Sequence, residues 1–186
     1  MCKFESGIVV FKGDDIEVFT HPSRSSHLEI RDLHNLRDSG ELADWNSTPV
    51  ELYPITDLLD VSTWVFGFDD GKPSWWQDWM EEKVRRVLGA SAKRKLLAVD
   101  GVLSFEGDLY LSSLTTLPPD VKLSAGGNLY LDSLTTLPPD VKLSAGWSLD
   151  LSSLTTLPQD VQLSAKNIWD GANYMSVGDY VKQLTV

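Results

Sequence analysis

Ser113-Leu-Thr-Thr-Leu-Pro-Pro-Asp-Val-Lys-Leu-Ser-Ala-Gly126 recurs unchanged from Ser133 to Gly146, and again from Ser153 to Ala165 with Gln159 and Gln162 as the two replacements. Self-similarity at a fixed period, here 20 residues, is the mark of a stacked repeat: one unit cannot cover its own apolar face, so copies pile up and bury a continuous core. The pattern extends backward, since Asp100, Leu103, Leu109 and Leu111 lie one period before Asp120, Leu123, Leu129 and Leu131. Forward it decays: Asn167-Ile-Trp-Asp-Gly-Ala-Asn-Tyr174 keeps the phase but loses the leucines. Residues 96–176 are therefore expected to form four coils, residues 177–186 a C-terminal cap closed by Asp179-Tyr180-Val181-Lys182, and residues 1–95 a domain of their own.

Within a coil, the positions Val121, Leu123, Ala125, Gly127, Leu129 and Leu131 alternate with Lys122, Ser124, Gly126, Asn128, Tyr130 and Asp132. That period of two sends one set inward and the other outward from a strand. Gly126-Gly127 marks a bend in it, where glycine accepts backbone angles that other residues resist. The apolar spacing then changes to three at Leu131, Leu134 and Leu137, as in a turn or short 3₁₀ segment. Pro138-Pro139 ends it, because neither proline can donate a backbone hydrogen bond.

The wording Leu-x-Leu-x-x-Leu-x-x-Leu-Pro resembles the short, bacterial type of leucine-rich repeat, which implies parallel strands stacked into a solenoid with a strand face available to a partner. Leu114, Leu134 and Leu154 stand where that family usually has Asn, and two residues are missing from its turn, so the convex side should be tighter. An unrelated β-solenoid is the alternative.

The N-terminal half differs in composition, carrying five of the seven tryptophans and all three histidines. Gly7-Ile-Val-Val-Phe-Lys12 and Ile16-Glu-Val-Phe19 read as a hairpin around Gly13-Asp14-Asp15. A helix is expected to start at Ser74 as N-cap with Gln77 three residues on, to present Trp76, Met80, Val84, Val87 and Leu88 on one face, and to stop at Gly89. The whole is thus α+β: a small N-terminal α+β domain ending in an amphipathic helix, followed by a short parallel-β solenoid. Ser26-His27-Leu28-Glu29-Ile30, Val50-Glu51-Leu52-Tyr53-Pro54 and Trp64 to Trp76 are similar to the front end of uncharacterised phage and prophage proteins that carry repeat solenoids. That resemblance implies a bacterial host cytosol and, as partner, a host protein such as a CRISPR- or restriction-type defence complex.

A formal charge of −11 argues against direct binding to nucleic acid or an anionic membrane, which needs a cationic face, and favours a protein partner, if anything a basic one. A single Cys2 allows no internal disulfide, and no apolar run approaches the roughly 20 residues of a membrane helix, so a soluble, reducing, cytoplasmic setting is expected. His21, His27 and His34 are spaced by six and seven residues, which matches no compact metal-ligand motif; with Cys2 or Ser25 beside them they form no legible nucleophile and base. No catalysis, cofactor or metal is expected. An enzyme built on those histidines is kept as the rival.

Comparing the coils with each other locates the display surface. Scaffold positions repeat, whereas Asp108/Asn128/Ser148, Tyr110/Tyr130/Asp150 and Ser112/Asp132/Ser152 vary as three outward columns, with Trp147, Trp169 and Asp170 nearby. Tyrosine, tryptophan and acidic groups on a rigid sheet are suited to anchoring a partner. The partner-binding residues expected are accordingly Asp108, Tyr110, Asn128, Tyr130, Asp132, Trp147, Asp150, Trp169 and Asp170. Asp120, Asp140 and Asp160 form a separate ladder, read either as turn caps or as an imitation of nucleic-acid phosphates.

Overall fold

The computed structural model describes residues 4–22, 26–36, 46–96 and 102–184; Cys2, Ser25 and Asp100 lie outside them. The chain divides into two compact units, Met1–Tyr53 with Val65–Arg94 and Pro54–Trp64 with Lys95–Val186. The sequence division at residue 95 thus misses one exchange: Pro54–Trp64 belongs with the solenoid.

In the first unit, β1 (Glu5–Lys12) and β2 (Asp15–Phe19) form the expected hairpin, its two-residue turn relying on Gly13 at φ 76°. With β3 (Ser47–Tyr53) and β4 (Val65–Phe68) they make an antiparallel sheet of order β2-β1-β3-β4. Helix α1 (His27–His34) is capped by Ser26, whose hydroxyl accepts from Glu29 N, and ended by Asn35 at φ 54°. Its Ile30 packs on Ile8 and Val10, one face of β1. Helix α2 (Asp78–Lys95) lies over the opposite face, where the missing side chain of Gly7 admits Leu88.

Two sequence expectations about α2 are overturned. The helix starts at Asp78, not after Ser74, because Trp75 stacks on Phe11 (5.4 Å) and Trp76 meets Phe66 and Phe68, which holds Pro73–Trp76 in a turn. Nor does Gly89 stop it; Gly89 is buried mid-helix, and Ala90 and Ala92, strong helix formers, carry the helix on. The expected apolar stripe holds, with Met80, Val84 and Leu88 fully buried, worth about 1.5–3 kcal/mol each.

The second unit is a parallel β-solenoid with 20-residue coils. Each coil supplies two short strands, one to each of two sheets: β5 (Leu103–Phe105), β7 (Lys122–Ala125), β9 (Lys142–Ala145) and β11 (Gln162–Ser164) in the first, and β6 (Leu109–Tyr110), β8 (Leu129–Tyr130), β10 (Ser148–Asp150) and β12 (Asn167–Trp169) in the second. Gly126-Gly127 is therefore more than a bend in one strand: it is the corner between two sheets. Leu123, Leu129, Leu131, Leu134 and Leu137 all point inward, and no more than 6% of any of them is exposed. Leu134 N bonds Leu131 O in a turn, one of the two forms that the spacing of three predicts.

The last coil departs from its expected phase. Leu149 pairs with Ile168 and Asp150 with Trp169, an offset one residue short of the repeat, so Lys166 alone spans the corner that two residues form elsewhere. β13 (Tyr174–Met175) then turns back antiparallel on β12, and α3 (Val177–Leu184) closes the end, its buried Tyr180 donating to Leu151 O at 2.9 Å. At the other end Pro54–Trp64 acts as a first half-coil. Ile55 O accepts Thr115 N at 2.8 Å, as Thr135 O accepts Thr155 N between later coils, and Leu58, Val61 and Trp64 are buried. Terminal caps of this kind are what a stacked repeat requires. No helix among the described residues is long and apolar enough to cross a membrane.

Candidate functional site

In-register pairing of the second sheet buries Leu109, Leu129, Leu149 and Ile168. The next position of each strand then forms an outward row: Tyr110, Tyr130, Asp150, Trp169 and, across the antiparallel step, Tyr174. Strands about 4.7–4.9 Å apart place such side chains at stacking distance. The Tyr110 and Tyr130 rings indeed lie 4.6 Å apart at 5°, and Trp169 and Tyr174 lie 4.9 Å apart at 49°. Asp150 sits half-buried between the two pairs. Burial raises its carboxyl above the ordinary value, against hydrogen bonds from Ser152 and with the charge of Asp132 adding to the rise.

Burial, with the negative charge of Asp108 beside it, pushes the Tyr110 hydroxyl up to about 12, and the same two causes raise Tyr130. Burial also raises Tyr180. A tyrosine in the unfolded chain ionises near 10, so the folded state holds these protons more tightly. For Tyr110 that contribution to stability is complete below pH 10 and is lost as the pH climbs from 10 toward 12. Melting temperature should therefore fall above pH 10, and Tyr110→Phe should make that fall shallower; an unchanged alkaline limb in the variant would show that the hydroxyl is not held.

The other expected residues divide between display and scaffold. Asp108 Oδ1 accepts Asn128 N at 2.6 Å, and Asn128 Oδ1 accepts Ser148 N at 3.1 Å, so this column is a side-chain ladder that ties coil to coil. Asp170 is a turn residue that accepts from Ala172 N and Asn173 N. Asp132 is half-buried, with Oδ1 enclosed next to Asp150. Trp147 is 60% exposed at the corner, with Lys166 over its ring at 3.7 Å, which rules out a core-filling role. Tyr174 was missed, because it enters the row through a reversed strand that no repeat announces.

No protein-family model, no curated protein and no solved structure matches the chain.

Asp120 and Asp140 adopt φ 58° and 59°, the left-handed region that Asp tolerates better than most residues, so both occupy these positions for backbone reasons after Pro-Pro. Lys122 and Lys142 stack in register close by and dilute the acidic ladder. His27 and His34 stand at opposite ends of α1. His34 Nε2 meets Thr20 O at 3.1 Å and its ring lies against Phe19. His27 instead approaches Glu51 and Asp69. No sequence motif could have shown that trio, since its members come from three separate elements.

Proposed function

We propose that the protein is a non-enzymatic interaction module that seats a protein partner on the outward row of the second solenoid sheet. One observation carries this reading: two aromatic pairs, Tyr110–Tyr130 and Trp169–Tyr174, stand in register on one backbone-bonded sheet with a half-buried carboxylate between them. A preformed surface loses little conformational entropy on binding, and aromatic side chains on it supply large contact areas at small rotamer cost. Asp150 and Asp132 make the row acidic as well as aromatic, which suits a partner that inserts an Arg or Lys between the ring pairs. The likeness of the N-terminal half to phage-borne solenoid proteins directs the search for that partner to bacterial defence complexes.

The test is affinity capture from the bacterial host, at low and at high salt, with wild type and a Tyr110→Ala/Tyr130→Ala double variant. Two hot-spot aromatics are worth at least roughly 2 kcal/mol together, so the variant should lose about 30-fold or more in affinity while melting at nearly the wild-type temperature. Capture that survives the double substitution but collapses with salt would favour an acidic surface competing for a basic groove. Loss of the fold would mean that the two tyrosines are core.

A further inference from the structure

We propose that His27, Glu51 and Asp69 form a binding site for a divalent first-row transition cation, for which zinc is the reference occupant. The site belongs to the N-terminal unit and is independent of the aromatic row.

The backbone places the three groups on one face. His27 opens α1, Glu51 lies in the middle of β3, and Asp69 follows directly on β4. Glu51 pairs with Gly67, and Asp69 N continues the ladder by donating to Pro49 O at 3.3 Å. Residues 49, 51, 67 and 69 therefore share a side of the sheet, the period of two fixing the carboxylates of Glu51 and Asp69 next to each other.

The imidazole is oriented for ligation. Its Nε2 lies 3.1 Å from Val50 O, and a carbonyl can only accept, so the proton sits on Nε2. Nδ1 is then the nitrogen that faces the carboxylates, 3.5 Å from Asp69 Oδ2. A histidine that donates one ring N–H to the backbone while presenting the other nitrogen is the usual second-shell arrangement of a metal ligand. All three donor atoms lie within 4.8 Å of one another. Ligands around a tetrahedral ion at 2.0–2.2 Å are about 3.4 Å apart, so the His27–Asp69 pair already has that spacing and small rotamer changes close the rest.

The donor set selects the class of ion. One imidazole nitrogen and two carboxylates are poor for the all-oxygen demands of calcium and lack the sulfur that copper(I) prefers, whereas they suit zinc and its neighbours. Glu51 is only 3% exposed, while His27 and Asp69 border a small open cleft. That cleft gives an entry path and room for a water as further ligand. Two adjacent carboxylates on a partly buried face also gain from a central cation, which offsets their mutual repulsion.

The test uses the full-length protein stripped with a chelator, dialysed, and titrated with Zn²⁺ by calorimetry; Co²⁺ provides a visible spectrum that reports coordination geometry. Expected are one saturable site per chain, a higher melting temperature with Zn²⁺, and a tetrahedral or five-coordinate Co²⁺ band. Glu51→Gln and Asp69→Asn should each weaken Zn²⁺ binding by at least roughly 100-fold, since loss of a ligand exceeds the effect of losing its outer-shell partner. Asp69 stands at an exposed strand end, so its variant carries the result should Glu51→Gln disturb the sheet. Cys2→Ser should leave the affinity unchanged. The absence of a saturable site, affinity that follows Cys2, or Asp69→Asn binding like wild type would each overturn the proposal and leave the trio as a histidine–carboxylate network.

Discussion

Leu131→Ala should destabilise the protein by roughly 2–5 kcal/mol, as truncation of a buried leucine leaves a cavity that its neighbours fill only in part. Leu131 is fully buried and stands where the second sheet gives way to the Pro-Pro turn; its N bonds Asp150 O at 3.0 Å and its O accepts Leu134 N. Coils above and below hold equivalent leucines, Leu111 and Leu151, so the cavity would open in the middle of a stack that cannot collapse sideways without breaking inter-coil bonds. Urea denaturation of the variant beside Leu131→Ile checks this. The isosteric change should cost less than about 1.5 kcal/mol. If both variants behaved like wild type, the inward assignment of the odd positions would be wrong.

What the sequence made legible follows from repetition. Because the coils are nearly identical, the alternation that points Leu129 inward and Tyr130 outward is repeated three times with the same result, and differences between coils fall on the exposed side. The row Tyr110, Tyr130, Asp150 and Trp169 could be read that way. The parts that stayed hidden depend on contacts distant in sequence. Pro54–Trp64 caps the solenoid through Ile55 and Thr56, yet it sits sixty residues before the threonines it binds. The start of α2 is set by Phe11, Phe66 and Phe68 gripping Trp75 and Trp76, a tertiary effect stronger than the capping pattern at Ser74. Asp108 and Asn128 looked like display residues because they are polar and variable. Their bonds to the next coil show that variation between Asp and Asn can preserve a role, since each side chain accepts the backbone N–H one coil on.

Gly146→Val is expected to cost roughly 3 kcal/mol or more, above the usual range for an overpacked site, because nothing nearby can yield. A Cβ at Gly146 would lie 2.0 Å from Gly126 O, and one at Gly126 would lie 2.2 Å from Glu106 O, both of them backbone atoms of the coil before. Relief would require the coils to part, which breaks the bond from Gly146 N to Ala125 O at 2.9 Å and strains the ladders on both sides of the corner. The residues at the two ends of this column support the reading. The equivalent position of the first coil holds Glu106, which has no earlier coil of the repeat beneath it at that corner, and the last holds Lys166, where the shortened coil moves the backbone bond to Trp147 O. A control lies in the neighbouring column, where a Cβ at Gly107 would meet nothing within 4 Å, so Gly107→Ala should stay within about 0.5 kcal/mol of wild type. Equal losses at positions 107 and 146 in the same denaturation series would mean that glycine stands at this corner for its backbone freedom and not for the close approach of successive coils.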